Sequence, residues 1–116
     1  MGQAAGKGVE QFHQQFNDSK LSEIYVTAAP ELKQGVQDVE FMKFITTVRR
    51  KLGAYQTGQQ TGWAMNTTPG GTQVTVAYQS TFEHGSGVER FVFLVSGETA
   101  KLLGYHIDSR ELMMNP

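Results

Sequence analysis

The sequence predicts an α+β domain, with three N-terminal helices packed on one face of a four-stranded antiparallel meander. Three observations carry this. The first half of the 116-residue chain places apolar residues at helical spacing. The second half alternates apolar and polar residues with period two. Short Gly-rich turns separate the alternating segments, and connections that short force antiparallel neighbours.

Taken in order, Val9, Phe12, His13 and Phe16 form one stripe, which predicts a helix over about 7–17. Asn17-Asp18-Ser19 breaks it and is placed to cap the next helix, because short polar side chains accept backbone N–H bonds. Leu21, Ile24, Tyr25 and Ala28 make a second stripe, ended near Pro30. Gln37 or Asp38 opens a third helix, on which Phe41, Phe44, Ile45, Val48 and Leu52 give the clearest periodicity of the chain. Arg49, Arg50 and Lys51 suit its C-terminal dipole, and Gly53 suits the position just beyond it.

Four strands follow. Gln56 to Thr67 carries Trp63 and Met65. Val74, Val76, Tyr78, Ser80 and Phe82 alternate with polar neighbours. Val88 to Val95 is apolar on both parities, which suits a strand with both faces covered. Thr99 to Asp108 places Leu103, Tyr105 and Ile107 on one side. Pro69-Gly70-Gly71, Gly85-Ser86-Gly87 and Ser96-Gly97-Glu98 read as the turns. The expected organisation is a flexible leader over 1–6, a single domain over 7–110 and a tail over 111–116.

Composition excludes several function classes. Ten basic against eleven acidic residues leave a net charge of −1. Nucleic-acid modules and polybasic membrane binders carry a basic excess instead. The absence of cysteine removes disulfide scaffolds, Cys-ligated zinc and thiol catalysis. His13, His84 and His106 lack ligand spacing, so no metal and no cofactor is expected. No apolar run reaches the ~20 residues of a transmembrane helix.

Phe12, Phe16-Asn17, Ile24-Tyr25 with Ala28, and Phe41 with Ile45, Val48-Arg49 and Leu52-Gly53 resemble small bacterial domains of unknown function in the cystatin-like, nuclear-transport-factor-two-like superfamily. The resemblance spans roughly residues 7–110 and rests mostly on core positions. It implies a curved sheet wrapped round helices, a cone with a pocket at one end, and often dimers through the outer sheet face. It also implies a periplasmic or secreted location, with a signal segment upstream of this sequence; the alternative is cytoplasmic. The superfamily hosts isomerases, dehydratases and non-catalytic binders, so the fold does not choose between them.

The candidate chemistry is sparse. His106 and Asp108 share one strand face and are the weak catalytic candidates, a base with its orienting carboxylate. His13, on an apolar stripe, reads as a half-buried histidine with one hydrogen bond. Isomerase-like relatives need a pocket carboxylate. Asp38, Glu40, Glu83, Glu89 and Glu98 all read as caps, turns or strand starts, which argues against an enzyme. Gln73-Val74-Thr75-Val76-Ala77 resembles the Gln-x-Val-x-Gly inhibitor loop of cystatins, but Ala77 replaces its glycine and the segment reads as strand interior. Tyr25, Trp63, Tyr78 and Tyr105 are the pocket candidates, because their polar tips want water or a ligand. Phe91, Val92, Phe93, Leu94 and Val95 are the dimer-face candidates, because one face of their strand needs a cover beyond the helices. The expected function is a non-catalytic binding or interaction module with a small apolar ligand and a homodimer through the sheet. The alternative is a pocket enzyme of isomerase or hydratase type using His106 with Asp108 or a tyrosine.

Overall fold

A computed structural model describes residues 2–113. Helices precede one four-stranded antiparallel sheet, as the patterning predicts, with strand order β1-β2-β3-β4. The elements are α1 (Gly2–Asn17), α2 (Leu21–Val26), α3 (Pro30–Gly35), α4 (Asp38–Leu52), β1 (Tyr55–Thr68), β2 (Gly71–Phe82), β3 (Gly85–Ser96), β4 (Thr99–Asp108) and the short α5 (Arg110–Met113).

Several boundaries differ from the sequence expectation, each for a local reason. Helix α1 begins at Gly2, and Ala4 and Ala5 are buried, so residues 2–6 belong to the first helix rather than to a leader. Pro30 does not merely end α2. It opens α3 at the first helical position, where its missing N–H costs nothing. The Asn-Asp-Ser segment does not cap α2, whose N-cap is Lys20 without a side-chain bond. Residues 110–113 form α5 rather than part of a tail, and Leu112 packs on the core; residues 114–116 lie outside the described residues. The β2–β3 connection is the two-residue turn Glu83-His84, so Gly85-Ser86-Gly87 pairs as strand.

Two glycines are required by geometry. A Cβ on Gly8 would stand 2.7 Å from the Phe93 ring, so only glycine lets α1 settle this closely on β3. Gly53 has φ 76° and its N–H donates to Arg49 O, ending α4 in the left-handed conformation expected there.

The core joins the inner faces of α1, α2 and α4 to β2, β3 and β4. Phe41, Ile45, Val48 and Leu52 of the α4 stripe are buried, while Phe44, also on it, is exposed. Phe16 and Phe91 are fully inaccessible. Side chains of this size contribute roughly 1.5–3 kcal/mol each on burial. Arg49 turns away from its own helix end and donates to Phe16 O at 3.0 Å, with its guanidinium over the Phe16 ring. It thereby satisfies a terminal carbonyl of α1.

Two irregularities set which residues face inward. On β4 the register shifts between Val92 and Phe93, which pair with Gly104 and Leu102 and leave Leu103 extra. That bulge resets the alternation: Leu102 joins Tyr105 and Ile107 on the inner face, and Leu103 leaves the set expected for it. On β1 the register shifts between Tyr55 and Thr57 and between Gln60 and Gly62.

Candidate functional site

The inner face of β3 reads Glu89, Phe91, Phe93, Val95, one parity running from a carboxylate into three apolar residues. Glu89 is fully buried, and it is the only carboxylate in the buried set of the described residues. In the sequence its place near a turn reads as a strand start. Its shared parity with Phe91 was the signal that places it inside.

Burying a carboxylate costs several kcal/mol unless donors replace its water. Three side chains from three elements do so here. Glu89 Oε1 accepts from His13 Nε2 on α1 and from Ser80 Oγ on β2, both at 2.7 Å. Glu89 Oε2 accepts from the Tyr105 hydroxyl on β4 at 2.5 Å. Among the described residues no buried side-chain nitrogen or oxygen lacks a partner. His13 meets Glu89 through Nε2, so Nδ1 is the ring nitrogen outside that contact. Burial, the negative charge of Glu89 and the hydrogen bond to it hold the Tyr105 hydroxyl well above the usual phenol range. That is the expected state of a donor that must keep its proton.

Tyr55 covers the histidine. Its ring stacks on the His13 imidazole with centroids 3.4 Å apart and planes within 6°. Asn17, the last residue of α1, fixes that placement: its Nδ2 donates to Tyr55 O at 2.9 Å, and its Oδ1 accepts from Tyr55 N at 2.7 Å. Asn17 therefore ties the end of α1 to the start of β1, a long-range role that a local capping rule could not show. Burial first, then Glu89, raises the Tyr55 hydroxyl above its ordinary value.

Beside this network runs an open groove of about 520 Å³ between α1 and the β1–β2 pair. Val9, His13, Asn17, Tyr55 and Tyr78 are among its walls, and Glu10 stands on its rim. Among the described residues the lining holds no lysine or arginine. Tyr78 is raised by partial burial and by the Glu10 charge.

The predicted candidates do not converge. Tyr78 lines the groove, and Tyr105 stands behind it in the network. Tyr25 is elsewhere: its hydroxyl donates to Val36 O at 2.7 Å and its ring packs on Phe41, binding α2 to the α3–α4 link. Trp63 is 63 % exposed on β1, outside the groove. His106 and Asp108 do lie together, 3.1 Å apart, but on the outer face with side chains 63 % and 71 % exposed. Water on both groups leaves no desolvated site for general-base work there.

The dimer-face candidates divide by parity. Phe91, Phe93 and Val95 are core residues and present no surface, while Val92 and Leu94 are half-buried on the outer face. Among the described residues no group of three or more His, Asp or Glu side chains is placed to hold a metal, and no helix is long and apolar enough to cross a membrane.

The chain matches no protein-family model and no curated protein.

Proposed function

We propose that this chain is a non-catalytic binding module whose ligand lies in the groove between α1 and the β1–β2 pair. One observation carries the reading. The buried carboxylate is consumed by three internal donors, so the network holds the groove wall in place. A carboxylate with no accessible surface cannot reach a substrate proton.

The lining supports one ligand class. Tyr55 and Tyr78 offer ring faces, Val9 adds apolar surface, and Gln14, Gln56, Asn17 and Glu10 offer polar groups. With Glu10 at the rim and no lysine or arginine among the described lining residues, the groove favours a small flat molecule that is neutral or positively charged, and disfavours an anion. The resemblance to small exported bacterial domains supports a periplasmic or secreted setting and the cone-like superfamily fold.

Benzylamine, benzyl alcohol and benzoate share one ring and differ in charge, so they make a discriminating set. In proton NMR titrations at millimolar concentration, benzylamine and benzyl alcohol should shift the His13 and Tyr78 ring signals, and benzoate should not. Tyr78→Ala should remove the response. Equal shifts for all three, or shifts confined to other residues, would rule the groove out.

A second reading has its own support. A carboxylate hydrogen-bonded to an imidazole that lines the groove is the arrangement of a general base with its orienting group. The enzymatic alternative therefore moves from His106 and Asp108 to His13 and Glu89. Its test is deuterium uptake by aryl ketones with acidic α-hydrogens in D2O: catalysis above buffer that is lost in His13→Gln would favour it over the binding module.

A further inference from the structure

The two edges of the sheet are treated differently. Along β4, the Ala29 N–H donates to Leu102 O at 2.9 Å and α3 packs beside the strand, so that edge is partly covered. Along β1, Asn17 satisfies Tyr55, but from Gln56 to Thr67 no backbone bond other than those to β2 is present among the described residues.

Proteins usually blunt such an edge with lysine, proline, short length or bulges. β1 runs 14 residues without one charged residue or proline. Its two register shifts lie in its first half, and from Gly62 to Thr68 the register against β2 is continuous. That regular half carries Trp63 and Met65, which are 63 % and 49 % exposed. Both pair with buried β2 residues, Val76 and Met65's partner Val74, so both stand on the helix side of the sheet where the helices do not reach.

We propose that a second copy of this chain covers the β1 edge, the two strands pairing antiparallel about a twofold axis at Ala64. Charge selects the occupant. A neutral strand meets its own copy without like-charge repulsion, and it offers a charged partner nothing to read. The register follows from the apolar side chains. Centring the pair on Ala64 sets Trp63 opposite Met65 of the second copy, and the same contact repeats through the twofold axis. Thioether sulfur against an aromatic ring is favourable, and both exposed residues are covered at once. The paired stretch runs over residues 62–66, where both strands are regular, and the two sheets become one sheet of eight strands. This edge is distinct from the β3 face that sequence alone suggested, and it does not depend on the groove.

The chain has no cysteine, so Ala64→Cys introduces a single thiol. On the axis the two Cα atoms would stand about 4.5–5.5 Å apart, within disulfide range. Mild oxidation at micromolar concentration should convert most of A64C to a covalent dimer. Glu98→Cys, at the exposed β3–β4 turn, should stay monomeric. Light scattering of the wild type should give twice 12.8 kDa. Trp63→Lys with Met65→Lys should halve that mass with an unchanged circular dichroism spectrum, and Val39→Lys, on exposed α4 surface, should not. A wild-type mass of 12.8 kDa, a dimer that survives the double lysine variant, or a dimer in which A64C does not cross-link would each overturn the proposal.

Discussion

The same sheet has a covered half and a bare half, and residue type does not tell them apart. Under α1, β3 buries a glutamate completely. Two strands away, β1 leaves a tryptophan and a methionine largely in water. Alternation sets only which face a side chain takes. What lies across from that face sets its burial: α1 stands over β3 and β4, and its contacts thin out toward β1. The glutamate is tolerated because three donors converge on it. The tryptophan is exposed because no layer of the described residues stands above it.

The contrast breaks most sharply at Glu89. Glu89→Ala strands the His13, Ser80 and Tyr105 donors in the interior and opens a cavity. It should cost about 3–5 kcal/mol in denaturant titration, because each donor left unsatisfied in the interior costs about 1–3 kcal/mol and the cavity adds to that. A loss under ~1 kcal/mol would mean that water already reaches the network.

A smaller effect separates Tyr105 from the rest of the network. Its folded hydroxyl titrates well above the ordinary value, so the native state holds the proton longer than the unfolded chain. Stability from this group is therefore complete below the unfolded phenol value of about 10 and falls as pH rises through it, by up to about 1.4 kcal/mol per pH unit. Tyr55 and Tyr78 act in the same direction. Tyr105→Phe should cost about 1–3 kcal/mol at neutral pH by removing one donor to a charged acceptor. It should also flatten the alkaline decline. An unchanged slope above pH ~10 would assign that decline to other groups.

The smallest effect belongs to the bare half. Trp63→Ala, measured where the chain is monomeric, should change stability by less than ~0.5 kcal/mol despite removing the largest side chain of the protein. A larger loss would show that the Trp63 ring supports the β1–β2 pair from within one copy.

Where a pattern was carried by many residues of one element, the sequence determined the outcome by itself. The α4 stripe buries Phe41, Ile45, Val48 and Leu52, β4 keeps its expected bounds of Thr99–Asp108, and Gly53 ends α4. These follow from backbone periodicity and from the left-handed conformation that glycine adopts without strain. The tertiary structure decided whatever depended on one residue meeting a distant one. Leu103 became a bulge because β4 had to keep register with β3 at both ends. Asn17 left the local cap for Tyr55, 38 residues away. Glu89 could be a core residue only once His13, 76 positions earlier, stood across from it to donate. No window along the chain contains both halves of such a pair, and an isolated glutamate near a turn reads as solvated until its donors are in place.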